Sequence, residues 1–179
     1  MLTITIPSQE LFNDETQEFV SIKGCTLQLE HSLVSLSKWE SKWNKPFLSR
    51  EKKSIAETLD YIRCMTITQN VNPEIYNFLT DKNIDDINNY IDAPMTATTF
   101  SDNGSKNNRE IVTSELIYYW MISLNVPMEC QKWHLNRLLT LIRVCNVKNT
   151  PPKKMSRKEI MSRNAALNAA RRKKLNSKG

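Results

Sequence analysis

The chain has 179 residues, 40% of them hydrophobic and 25% charged, with a mean hydropathy of −0.50, which predicts one soluble globular domain with room for an appendage but not for a two-domain enzyme. Its three glycines, Gly24, Gly104 and Gly179, exclude a phosphate-binding loop, a G-x-G-x-x-G dinucleotide site and a G-x-S-x-G nucleophile elbow. The formal charge of +6 is unevenly divided: residues 1–147 hold 14 Lys and Arg against 18 Asp and Glu, a net of −4, whereas residues 148–179 hold 11 against the single Glu159, a net of +10.

Leu2-Thr-Ile-Thr-Ile alternates with the period of a strand, and Phe19-Val-Ser-Ile and Cys25-Thr-Leu-Gln-Leu do so again around Lys23-Gly24, so a small antiparallel hairpin or sheet is expected within residues 1–30. The period then becomes helical. Leu33, Leu36, Trp39 or Glu40, and Trp43 follow Ser32 as a cap, and Pro46 ends the element. A helix over residues 51–66 is expected from a stripe of Ile55, Leu59, Ile62 and Thr66, flanked by Tyr61 and Met65. Asn72-Pro73-Glu74 supplies a cap, a first-turn proline and a carboxylate for a short helix over 73–79, and Asn83, Ile84, Ile87 and Ile91 mark another. Residues 93–108, rich in Thr, Ser, Asn and Asp, read as an exposed loop. Ile111, Leu116, Tyr119, Trp120 and Leu124 suggest a central helix broken at Pro127. A second helix over 130–147, presenting Leu135, Leu138, Leu139, Ile142 and Cys145, should pair with it as an antiparallel hairpin that organises the core. The expected architecture is therefore a mostly α, multi-helix body over 1–147 with an N-terminal β segment.

Pro151 and Pro152 separate that body from a basic C-terminal arm, residues 148–179. Ser156 and Glu159 match a capping box, so a helix should start there. Its large apolar residues, Ile160, Met161, Leu167 and Leu175, are too few to hold it against the body, and a helix of this kind is marginal until a partner orders it.

Chemistry-bearing residues are sparse. Cys130 and His134 lie four apart on an expected helix, the spacing of a nucleophile pair or two metal ligands, yet no third ligand or orienting carboxylate accompanies them and core packing is the expectation. His31 reads as a capping or surface group. Asp81, Asp85 and Asp86 read as a solvated helix start, and Trp39, Trp43, Tyr118, Tyr119, Trp120 and Trp133 as core aromatics. No catalytic residue, metal site or cofactor is assigned. The four cysteines, Cys25, Cys64, Cys130 and Cys145, form no C-x-x-C pair, no cleavable signal peptide is read at the N-terminus, and the apolar run at 116–124 is too short to span a membrane. A reduced, cytoplasmic setting is expected. The remaining signal is cationic: Lys153, Lys154, Arg157, Lys158, Arg163, Arg171, Arg172, Lys173 and Lys174 could contact either phosphates or an acidic protein.

Several segments together carry a family resemblance: LVSLSKWESKWNKPF at 33–47, ETLDYIRCMT at 57–66, SELIYYWMI at 114–122, CQKWHLNRLL at 130–139 and RNAALNAARR at 163–172. The chain resembles the tail assembly chaperones of long-tailed, siphovirus-type phages and prophages. The resemblance covers most of the body and the arm, and it is a pattern of words, not a catalytic signature. It implies a non-enzymatic protein of the bacterial cytoplasm that coats the helical tape measure protein and helps recruit tail tube subunits. It also implies that the chain could be the short form of a frameshifted pair. Homo-oligomers would suit such a role. The alternative is a virion structural or nucleic-acid-associated protein that uses the basic arm.

Overall fold

The structure, a computed structural model, describes residues 1–13, 18–100, 111–151 and 156–176, with the backbone alone for 9–13 and 18–22. The N-terminal alternation becomes four strands, β1 (Leu2–Ile6), β2 (Gln9–Asn13), β3 (Glu18–Ile22) and β4 (Cys25–Leu29). β1 pairs with β4 and β2 with β3, both antiparallel, and the register continues unchanged across the gap: Ile6 faces Cys25, and three residues on Gln9 faces Ile22. The four strands are thus two lengths of one hairpin, interrupted at Pro7, which has no amide hydrogen to donate. Opposite it, a β-carbon on Gly24 would lie 2.7 Å from the Ser8 nitrogen and 2.8 Å from the Ile6 oxygen, so only glycine lets the two strands cross this closely. β2 has no clear counterpart in the sequence reading, because Gln9-Glu-Leu-Phe-Asn does not alternate.

The rest is mostly helical: α1 (Leu33–Trp43), α2 (Ile55–Met65), α3 (Asp81–Asp92), α4 (Ser114–Ser123), α5 (Leu135–Asn149) and α6 (Arg157–Leu175), with 3-10 turns at Pro73–Phe78 and Met128–Lys132. The caps follow local chemistry. Ser32, Ser54 and Thr80 each accept from the amide three residues on, and Ser35, Glu57 and Asn83 bond back to the cap residue, satisfying amides that the first helical turn leaves unpaired. Asn44 ends α1 in the left-handed region at φ 52°, its amide donating to the Glu40 oxygen at 2.8 Å.

α1 organises the core, packing against α2, α4 and the 3-10 turn at Met128–Lys132, while α3 packs on β1. This corrects the expected α4–α5 hairpin, since α4 has α1 as its main partner. Leu33, Leu36 and Trp39 of α1 are buried together with Ile6, Leu27 and Leu29 of the hairpin, Met65 of α2, Ile117 and Met121 of α4, and Leu135 and Leu138 of α5. Each such aliphatic side chain contributes about 1.5–3 kcal/mol on leaving water. Several polar groups at the ends of this core are bonded. The Trp39 indole donates to the Glu57 carbonyl at 2.8 Å, and the buried Glu40 carboxylate accepts from the Phe47 amide at 2.8 Å and the Ser114 amide at 2.7 Å, tying α1 to the loop after it and to the start of α4. At the α1–α2 seam Lys42 pairs with Asp60, the Trp43 indole donates to Asp60 at 2.9 Å, and Lys45 bonds Glu57 at 2.7 Å.

Two expected faces and one helix boundary differ. Ile55 is 81% exposed, and α2 buries Ile62 of the expected stripe together with the flanking Tyr61 and Met65, with Leu59 half-buried beside them. In α4 the buried residues are Ser114, Ile117 and Met121, leaving Tyr119 exposed, and Ile111 lies exposed ahead of the helix. Where one helix was expected over 130–147, a 3-10 turn ends at Lys132 and α5 starts at Leu135, because the His134 segment bridges to Ser32 and the Leu135 amide donates to the His31 carbonyl at 2.7 Å. The expected loop at 93–108 carries no helix or strand over 93–100, and its remainder lies outside the described residues.

The chain divides into two compact units, Met1–Asn146 and Val147–Gly179, with α5 running three residues into the second.

Candidate functional site

The second unit holds the cationic residues singled out in the sequence. α6 begins behind Ser156, whose hydroxyl accepts from the Glu159 amide while the Glu159 carboxylate accepts from the Ser156 amide at 2.7 Å. That bond holds the Glu159 carboxyl below its ordinary value. The helix ends at Asn176, in the left-handed region at φ 48°. Its 19 residues span about 28 Å, and every one is exposed.

Seven cations, Arg157, Lys158, Arg163, Arg171, Arg172, Lys173 and Lys174, stand against the single carboxylate of Glu159. At about 100° per residue they fall on all sides of the helix instead of forming one stripe. Those in the last turn favour the helix dipole; Arg157 and Lys158 oppose it, and Glu159 offsets them. Ile160 and Leu167, seven apart, share a side. Lys153 and Lys154 lie outside the described residues.

The first unit offers a groove of about 390 Å³ beside the start of α1. Val34, Met65 and Ile67 supply apolar wall and Glu30, Lys38 and Lys132 a charged rim. Its residues come from the end of β4, from α1, from the end of α2 with the segment after it, and from the second 3-10 turn, so no local sequence pattern could announce it. A groove of this kind can take one or two apolar anchors of an amphipathic segment.

Cys130 and His134 are both buried, Cys130 in the 3-10 turn and His134 just ahead of α5, not on one helical face. His134 is fully engaged: Nδ1 accepts from the Asn136 amide at 3.3 Å, which leaves Nε2 to carry the proton and donate to the Tyr90 carbonyl at 2.9 Å. Burial lowers its pKa, favouring this neutral form.

His31, expected at the surface or as a cap, is instead 3% exposed. It sits in edge contact with the His134 ring at 5.1 Å between centroids and bonds the Tyr61 hydroxyl through Nδ1 at 2.6 Å. Burial, with the neighbouring His134, brings its pKa down to about 4. The same burial raises the Tyr61 hydroxyl. These side chains join β4, α1, α2, α3 and α5, and nothing in the sequence separated His31 from a surface histidine. Among the described residues no group of three His, Cys, Asp or Glu is placed to hold a metal ion.

Asp81 and Asp85 are exposed on α3 and Asp86 is half-buried. Of the aromatic set, Trp39 is core, Trp43, Tyr118, Trp120 and Trp133 are half-buried against it, and Tyr119 is 64% exposed, which corrects its expected burial. Among the described residues no helix is long and apolar enough to cross a membrane. No family model, curated protein or solved structure matches the chain.

Proposed function

We propose that the chain is a tail assembly chaperone of a long-tailed phage, a non-enzymatic protein that holds the tape measure protein in the host cytoplasm while tail tube subunits are recruited. The observation that carries this reading is α6, a 19-residue helix with seven cations and every residue in water. A helix of that length gains little from its own turns alone, and an exposed arm of this kind is suited to being ordered by a partner. The groove between Val34, Met65 and Ile67, with Lys38 and Lys132 at its rim, supplies an anchor point for an amphipathic helix, the repeating element of a tape measure protein. The family resemblance points the same way.

Co-expression with a helical fragment of the tape measure protein tests the reading. The fragment is expected to remain soluble and to co-purify with the chain; unchanged solubility without co-purification overturns it.

A second reading, a virion structural or nucleic-acid-associated protein, draws on the distribution of cations around all sides of α6, which would suit phosphates met from any direction. It predicts DNA affinity that falls with salt at a log–log slope approaching about −6 if all seven cations neutralise phosphates. That dependence would vanish on deletion of residues 153–179.

A further inference from the structure

We infer that α6 of one copy docks antiparallel on the exposed face of α4 of a second copy, so that copies link head to tail. This rests on the proposal that the arm is ordered by a protein partner, and it names that partner surface. The starting observation is a mismatch in α4. Leu116 to Ile122 is apolar or aromatic without a break, the pattern of a helix buried on all sides, yet the fold buries only the side of Ser114, Ile117 and Met121. The opposite stripe runs Glu115, Tyr119, Ile122, at positions i, i+4 and i+7, with Tyr119 64% and Ile122 66% exposed. Met128, 43% exposed, opens the turn that follows. Among the described residues of the first unit, nothing covers this face.

Charge and spacing select the occupant. Glu115 lies at one end of the stripe and Glu129 beyond the other; both are exposed, and no ion pair engages either among the described residues. α6 carries the converse pattern on one side, with Ile160, Arg163, Leu167 and Arg171 at i, i+3, i+7 and i+11, and its two apolar members are 45% and 46% exposed.

Laid antiparallel, Leu167 meets Tyr119. Arg171, four residues further along α6, then meets Glu115, four residues back along α4, each step being about 6 Å. In the same register Arg163 and Ile160 fall toward Ile122 and the Met128–Glu129 turn. The helix dipoles oppose, which favours the pair. Because donor and acceptor surfaces differ, the contact is heterologous and can repeat from copy to copy, as coating a long helical partner requires.

The test uses the full-length chain, nuclease-treated and with no tape measure fragment present, so that it stands or falls apart from tape measure binding. Mass is measured by light scattering from low to high micromolar concentration. The wild type is expected to gain about twofold or more in mass, while Ile122→Asp and Leu167→Asp each remain monomeric. Mixed in equal amounts, the two variants should form a dimer and nothing larger, because one retains a working α6 and the other a working α4 face.

Glu115→Lys should weaken association and Glu115→Lys with Arg171→Glu should restore it, a readout that does not depend on the aspartate variants folding. A wild type that stays monomeric throughout, association indifferent to both aspartate variants, or charge reversal without rescue overturns the inference.

Discussion

His31 is the buried joint between β4 and α1, and its chemistry predicts how the body responds to acid. The folded protein holds its imidazole neutral down to about pH 4 because burial and the facing His134 both oppose a positive charge, whereas an unfolded histidine takes its proton near 6.5. Above pH 6.5 both states are neutral and no dependence arises. As pH falls from 6.5 to about 4, the unfolded chain binds a proton that the folded one refuses, so stability is lost across this window and the loss stops growing below it. At about 1.4 kcal/mol per pH unit the interval amounts to about 3 kcal/mol, a large part of a domain's stability. His134, its pKa also lowered by burial, adds loss of the same sign. Urea unfolding followed by the fluorescence of the tryptophans, Trp39 among them, at steps from pH 7.5 to 4 measures it. His31→Asn, whose amide can keep a bond to Tyr61 without titrating, should be less stable at pH 7.5 but lose markedly less on acidification. A wild-type stability that is flat across the window, or an equal loss in the variant, would refute the reasoning.

Further outcomes follow from single contacts. Glu57, held down to about 2 first by its hydrogen bond from Lys45, keeps its contribution above about pH 4.5 and loses it as pH falls toward 2; Lys45→Met should therefore flatten the acid limb of the unfolding curve in that lower window, separate from the histidine one. Glu40→Ala leaves the Phe47 and Ser114 amides without their carboxylate and should cost about 2–4 kcal/mol in urea unfolding, with Glu40→Gln costing roughly half. Gly24→Ala drives a β-carbon into the Ser8 and Ile6 backbone and should cost about 1–3 kcal/mol, with faster hydrogen exchange at the amides of β1 and β4. Cys130, buried in the core, should react with a thiol reagent only on unfolding, and Cys64, its thiol pushed up by burial, should react more slowly than free cysteine; rapid labelling of Cys130 in the native protein would contradict its placement.

Punctuation was the most legible part of the sequence. Ser32, Asn72 and Ser156 each cap an element where their side chains predicted, because capping is settled within a single turn. The mostly helical character and the N-terminal hairpin were legible for the same local reason. Which side of a helix turns inward was not. Ile55 and Ile111 fit an apolar stripe by spacing, but the buried side depends on where α1 lies, and that is a property of the assembled core. α4 was misread because apolar coverage on every side resembles the signature of a buried helix, whereas here one side serves the core and Tyr119 and Ile122 remain outside.

The arm's cations were legible as charge, and the structure adds that those within α6 surround the helix. The groove and the His31–His134 contact were invisible in the sequence, since each draws on segments far apart in the chain.

The most direct measurement is the mass, by analytical ultracentrifugation, of complexes between the full chain and tape measure fragments of increasing helical length, with DNA of matched length as the competitor. The account predicts several copies bound per fragment, their number rising with fragment length and undiminished by the DNA. Absence of a complex, or displacement of the chain from the fragment onto DNA, would contradict it.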